Sequence, residues 1–306
     1  MADTPVVASI AIPAAPVAAP TRPLLPFPRT LQLMWQEPAA RWALVFLAAL
    51  ILAAIAAPWI SPFDPTRPLD PSAGAAAPNA SHWFGTDLTS RDVLSRMLFG
   101  ARVSLAVATL SALLSAALGL LYGGVAGFAG GRIDGAMMRL VDALLAIPRL
   151  LLLLTVLALW GTVGVQSLVV ILALTGWFGV ARLARVEASS LRSRDFVRAA
   201  QALGATPWRV FVRHVLPHAS APVLVATTIA IGQVIVLEAG LSYLGYGVPQ
   251  PTPTWGNIIR DGRETIATTW WLTFFPGLAL VGTALAVNTL ADRLRAALNP
   301  RQLPAP

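Results

Sequence analysis

Asp195-Phe-Val-Arg-Ala-Ala-Gln-Ala-Leu-Gly204-Ala-Thr-Pro-Trp-Arg-Val-Phe-Val-Arg-His-Val-Leu216-Pro217 is a basic, amphipathic insert between two segments apolar enough to cross a bilayer. Phe196, Ala199, Ala200 and Leu203 recur at helical spacing and form an apolar stripe, with Arg194, Arg198 and Gln201 on other faces. Gly204 suits the left-handed position that ends such a helix, and Thr206-Pro207 reads as the N-cap and first-turn proline of a second one. Two short helices therefore meet at a bend. The small pair Ala199-Ala200 admits close approach by another surface, and Trp208 and Phe211 offer bulky anchors beyond the glycine. Two readings fit: an element that docks on a partner protein, or helices resting on lipid headgroups. Arg182, Arg185, Arg192, Arg194, Arg198, Arg209 and Arg213 face only Glu187 and Asp195 across this region, so attraction to anionic lipid accompanies either reading.

The surrounding chain is a membrane protein by composition. Hydrophobic residues make up 56% of its 306 residues and charged residues only 12%, about half the share usual in soluble domains. The mean hydropathy of +0.69 agrees. Apolar runs near the ~20 residues that a bilayer core demands fall at roughly 42–60, 103–128, 137–160, 164–184, 219–241 and 270–290. The expected fold is all-α, with six transmembrane helices in a domain spanning 41–296.

Every basic residue is arginine. With the N-terminus inside, arginines concentrate before the first span, in the 185–217 loop and after the last span. Outside stand only Arg67, Arg91, Arg96, Arg102, Arg260 and Arg263. The positive-inside rule favours this topology and places both termini and the loop in the cytoplasm. It also accounts for the net charge of +8 without nucleic acid, since no basic cluster is interleaved with stacking aromatics on a soluble domain. With no cysteine, disulfides and thiolate metal sites are excluded. His214 and His218 would share one helix face only if the helix survived Pro217, and a break there is expected. No metal site is expected. Prolines at 5, 13, 16, 20, 23, 26 and 28 and no basic residue before Arg22 make 1–40 a cytoplasmic tail of little fixed structure, not a secretory signal. Residues 297–306 form a second cytoplasmic tail.

The two alanines, three residues, a glycine, and Leu216-Pro217 twelve positions on resemble the cytoplasmic coupling loop of ABC-importer permeases. This chain has Arg198 where the broad pattern carries glutamate, and His214 where an aliphatic residue is common. Two further blocks narrow the resemblance. His82-Trp-Phe-Gly-Thr-Asp-Leu-Thr-Ser-Arg-Asp-Val-Leu-Ser-Arg-Met-Leu-Phe-Gly-Ala-Arg-Val-Ser-Leu105 and Glu238-Ala-Gly-Leu-Ser-Tyr-Leu-Gly-Tyr-Gly-Val-Pro-Gln-Pro-Thr-Pro-Thr-Trp255-Gly-Asn257 are similar to the second permease subunit of the peptide and nickel importer branch. Ser90 stands where that branch carries glycine.

The resemblance implies a type I importer permease of the bacterial inner membrane, paired with a second homologous permease and served by an extracytoplasmic solute-binding protein. Two cytoplasmic ATPase subunits would use the ATP, so this chain needs no cofactor. Docking residues carried over from the loop are Asp195, Phe196, Arg198, Ala199, Ala200, Gly204, Trp208, Leu216 and Pro217. Di- or oligopeptides are the first choice of solute, with nickel complexes or other small solutes the alternative.

The residues outside the loop give further expectations. Thr89 and Asp92 fit a capping box, and Val93, Leu94, Met97 and Leu98 suit a helix lying on the outer membrane surface within the 61–102 segment. Trp255, in the outer 242–269 loop, either meets the binding protein, lines the outer mouth, or belongs to an ordinary connection. Ser111, Ser115, Gly119, Gly123 and Gly127 place a small residue at every fourth position of the second span, for internal packing or a subunit interface. Arg149, roughly 15 Å deeper than Arg139 on a continuous helix, and Glu238 are ionisable groups within spans and candidates for the translocation route. Arg149 is open to a structural reading too, pairing with Asp142 or capping a helix broken at Pro148.

No enzyme constellation is present. A Walker A loop needs a lysine, there is no His-Glu-x-x-His, and Gly240-Leu-Ser242-Tyr-Leu244 lacks the second glycine of a serine elbow. The remaining alternative class is a membrane scaffold that binds a partner without moving solute.

Overall fold

The computed structural model describes residues 35, 37–70, 72–161 and 163–298. Of the tails expected at 1–40 and 297–306, residues 1–34, 36 and 299–306 lie outside the described residues, and Pro38–Ala40 already belong to the first helix. Helix α1 is Pro38–Ile60 and α2 is Val93–Ala129. A bent pair follows, α3 Gly131–Leu145 and α4 Arg149–Trp160, then a second, α5 Val165–Leu174 and α6 Trp177–Arg192. The elbow consists of α7 Asp195–Ala202 and α8 Pro207–Val210, and a π-helical turn at Phe211–Val215 leads into α9 Leu216–Tyr243. Helices α10 Trp255–Gly262 and α11 Trp271–Leu298 complete the chain.

Four helical courses, those of α1, α2, α8 to α9, and α11, are each long and apolar enough to cross a membrane, and counting each bent pair as one span gives six. The six-span expectation thus stands, with two of the spans bent. The run 137–160 is not straight: α3 and α4 meet at 82°, because Pro148 has no N–H for the helix ladder and disfavours helical geometry at Ile147 before it. The depth assigned to Arg149 on a continuous helix therefore does not hold. The second pair bends by 43° at Thr175–Gly176.

Helix α2 is the centre of the fold, and its stripe of small residues serves internal packing. Ser111 donates to the Val169 carbonyl at 3.2 Å and Ser115 to the Ala173 carbonyl at 3.0 Å, each acceptor 58 positions further along. Gly119, Gly123 and Gly127 continue the series: a Cβ there would collide with the carbonyls of Trp177, Ala181 and Arg185. A constant offset of the same sign means that α2 runs parallel to α5 and α6, backbone against backbone, an approach only small residues permit.

This parallel pairing defines two faces. Ala129 and Arg192, joined by a hydrogen bond of 3.1 Å, mark the face that carries the elbow. The start of α11 lies on the far face, where Trp271 donates to the Thr86 carbonyl at 3.0 Å. The Glu37–Arg293 ion pair of 2.5 Å brings the start of α1 and the last turns of α11 together on the elbow face.

Two local expectations change. The N-cap before α2 is Asp92, which accepts from Ser95 N at 2.8 Å, while Thr89 turns back to Asp87. Val93 to Leu98 are the first turns of α2 and not a separate helix on the membrane surface. Ser90 has φ +62°, the one non-glycine in the left-handed region among the described residues, a conformation costing on the order of 1 kcal/mol for a residue with a Cβ.

Candidate functional site

The elbow forms because its sequence carries complete stop and start signals. Gly204 at φ +83° ends α7, with Ala205 N bonded to Ala200 O at 3.1 Å and Gly204 N to Gln201 O at 2.9 Å, the paired bonds of a Schellman cap. Thr206 then caps α8 by accepting from Arg209 N, with Pro207 at the first position. The bend between the helices is thus fixed by backbone bonds.

Packing shows which side of the elbow faces in. Val197, Val210, Phe211 and Val215 are buried against Ala188, with Phe128, Leu191 and Ala200 packed around them. Phe211 is therefore not an outward anchor: its ring lies beside Phe128, and Gly124 opens the space that it fills. Phe196, Ala199 and Leu203 of the expected stripe are exposed, as is Trp208. Leu203 is 89% exposed and Trp208 67%, an unusual position for large apolar side chains unless something covers them. Asp195 lies in the first turn of α7, and Arg198, beside Arg192 in a surface cavity, is exposed. Ala200 and Leu216 are half-buried, and Gly204 and Pro217 are exposed at the bend and at the head of α9.

Helix geometry survives Pro217, contrary to expectation. The preceding π turn, in which Leu216 N bonds Phe211 O, loosens the ladder where proline lacks an N–H. His214 and His218 therefore do share a face, but the His218 Nδ1–H donates to the His214 carbonyl at 2.7 Å. No group of three metal-ligating side chains occurs among the described residues.

On the elbow-side half of the molecule, α3 is tied to α6. Arg182 pairs with Asp142 at 2.6 Å and Arg185 with Asp134 at 2.7 Å. Asp142 is thereby committed, so Arg149 does not pair with it. Arg149 begins α4 and donates to the Leu172 carbonyl at 3.2 Å, while its Nε finds no partner. The second bend leaves that carbonyl without a backbone donor, because Gly176 N bonds Ala173 instead, and Arg149 shares it with Thr175 Oγ1, also at 3.2 Å, so Arg149 joins the two breaks.

The far half is held by a buried ionic cluster. Arg96 is wholly buried and reaches Asp87, and Asp261 at 3.0 Å. Arg91 binds Asp87 at 2.7 Å and Gln250 at 3.3 Å, and Gln250 in turn donates to Asp261 at 2.8 Å. Burial alone would raise the Asp87 carboxyl. The Arg96 charge, the Arg91 backbone N–H and the Arg91 charge outweigh it and hold Asp87 below the usual carboxylate range. Trp255 is also buried, donating from Nε1 to the Met97 carbonyl at 3.2 Å, and so does not present itself to a binding protein or a mouth. Glu238 sits inside the protomer, accepting from Ser242 Oγ at 2.8 Å and Ser104 Oγ at 3.3 Å. The tryptophan and the arginine cluster were missed as internal ties because their spacing, spread over residues 87–261, carries no local signal.

Residues 119–303 match the family described as binding-protein-dependent transport system inner membrane component, more than half of the chain. The chain belongs to this family. Residues 29–78 additionally match the N-terminal transmembrane domain of oligopeptide transport permease C. The chain is 37% identical over 259 residues to the dipeptide transport system permease protein DppC of Bacillus subtilis, covering 84% of this chain and 80% of that one. It is 38% identical over 278 residues to a protein of Brucella suis biovar 1 provisionally named a peptide permease, covering 90% and 91%. A third relative, provisionally named a peptide transport system permease in the same organism, is 40% identical over 263 residues, covering 85% and 87%. Family membership makes the chain a membrane permease component of a transporter, which sets aside the scaffold alternative.

Proposed function

We propose that this chain is one of two permease subunits of a peptide importer, with the elbow face in the bacterial cytoplasm. Asp195, Phe196, Arg198, Ala199, Ala200, Gly204, Trp208, Leu216 and Pro217 form or shape the surface that docks an ATPase subunit. One observation carries the proposal. The elbow is anchored by Val197, Val210, Phe211 and Val215, yet turns Phe196, Leu203 and Trp208 to solvent. Such a lever transmits a push without deforming and has an apolar grip for whatever pushes it. ATP is used by the partner subunits, an extracytoplasmic protein delivers the solute, and the names of the relatives point to di- or oligopeptides. The bent spans are the parts suited to rocking between openings. Arg149, which joins the bends, is the candidate beside the moving route, and Glu238, bonded to Ser104 of α2 and Ser242 of α9, braces the helices around it.

Co-expression with both ATPase subunits tests the docking surface. Leu203→Glu and Trp208→Ala, both at exposed positions, are expected to preserve the folded permease and to lose at least tenfold in recovered ATPase, a change of about 1.4 kcal/mol or more. Full recovery of ATPase with both variants would overturn the proposal.

A further inference from the structure

The far face contains a cavity of about 400 Å³ between the α4–α5 junction and the loop after α9, within the range of roughly 300–1,000 Å³ common to small-molecule sites. Leu157, Gly161 and Val163 form one wall; residues 245–250 and Arg260 form the other. Much of the second wall is backbone, because Gly245 and Gly247 bring no side chain, and Tyr246 and Gln250 add polar atoms.

Arg260 is the cation of this cavity. Its Nη1 lies near Gly245, just 3.7 Å from where a Cβ on that glycine would stand. The neighbouring arginines all have carboxylates: Arg91 and Arg96 share Asp87 and Asp261, and Arg263 takes Glu264. The adjacent acid, Asp261, is occupied by that cluster and by Gln250. Among the described residues Arg260 has no acidic partner, and its exposed guanidinium, with five donors in a fixed fork, lines this concave polar space with no carboxylate of the protein opposite it.

We propose that this cavity is a solute site in which Arg260 binds the terminal carboxylate of a small peptide as it enters the permease. The proposal rests on the peptide-importer reading above. A planar carboxylate matches the guanidinium fork, and one bound end leaves the rest of a peptide free to pass on, as a transport site requires. The cavity is too small to enclose a long peptide, so the recognised feature is its end, common to peptides of any sequence.

The test uses the complete assembly, with its binding protein and ATPases, reconstituted in proteoliposomes and supplied with radiolabelled alanyl-alanine or, separately, penta-alanine. Losing one charge-assisted bond should raise the concentration for half-maximal uptake about tenfold in Arg260→Gln. Arg260→Lys should recover part of it. Arg102→Gln is the control, because Arg102 is another far-face arginine, stacked on Phe99 in a different groove; it should match the wild type. Arg260→Gln behaving as wild type, or Arg102→Gln losing as much as Arg260→Gln, would sink the site. Uptake by the wild-type assembly of neither alanyl-alanine nor penta-alanine would instead sink the peptide-importer reading, and this site with it.

Discussion

Arg96 sets the terms for the far half of the molecule, since a wholly buried guanidinium is tolerated only while carboxylates accept from it. Asp87 is the nearer of its two, and also accepts from the backbone N–H groups of Thr89 and Arg91 at 2.8 and 2.9 Å. Removing its charge leaves Arg96 and Arg91 to share Asp261 alone, and Asp87→Asn should cost about 3 kcal/mol at neutral pH, read as a lower thermal midpoint in detergent. The pH dependence has a definite sign. Because the folded-state pKa of Asp87 is depressed, its contribution is fully present above the unfolded value of about 4 and is lost as pH falls through the folded one. Wild type should therefore lose stability below about pH 4 by more than Asp87→Asn does. Parallel losses in the two proteins would show that Asp87 does not carry the effect. Ser90 belongs to the same loop: its carbonyl accepts from Leu69 N at 2.9 Å and its amide donates to Asp87 O at 2.9 Å, so local bonds hold a backbone shape that a glycine would adopt freely.

At the scale of elements, the contact between α2 and α6 distinguishes glycines that are required from glycines that are merely present. A side chain at Gly123 would collide with the Ala181 carbonyl, whereas a Cβ at Gly179 meets nothing within 4 Å. Gly123→Leu is expected to destabilise by about 3 kcal/mol or more. Gly179→Ala should instead stabilise by about 0.5–1 kcal/mol, since alanine loses less backbone freedom on folding. Thermal unfolding of both purified variants checks the pair, and equal midpoints would refute this packing. The stripe was legible in advance because a period of four is a local pattern, and so were Gly204 and the Thr206-Pro207 cap, each a signal complete within a few residues. The 82° bend was only half legible. Pro148 marked the weak point, but the orientation beyond it accompanies tertiary contacts such as Arg182–Asp142 and Arg185–Asp134, which link residues 40 and 51 positions apart and leave no local pattern. Phe211 was misread for a related reason: helical spacing separates faces but does not say which one meets the body of the protein, and Gly124, 87 positions earlier by numbering, supplies the space that draws the ring inward.

The whole molecule turns on which face meets the cytoplasm. Glu37 and Arg293 pair on the face that carries the elbow, consistent with an even number of crossings. Arginines concentrate on this face, at Arg182, Arg185, Arg192, Arg194, Arg198, Arg209 and Arg213, and the positive-inside rule assigns it to the cytoplasm. The far-face arginines weaken that rule less than their number suggests, because Arg91 and Arg96 are buried in an ionic cluster and oppose acids of their own. The absence of cysteine makes a direct measurement simple. Leu203→Cys places the chain's one thiol at the most exposed of the elbow's large apolar side chains, where an 89%-exposed residue touches little and its replacement should leave the fold intact. A membrane-impermeant maleimide should label this variant in inside-out vesicles and not in intact spheroplasts. Co-expressed ATPase subunits should then protect the thiol, because docking on Phe196, Leu203 and Trp208 buries it. Labelling from the spheroplast exterior would reverse the topology and remove the elbow from reach of ATP-driven partners, whereas inside-out labelling that the ATPases leave unchanged would keep the topology and move the docking surface elsewhere.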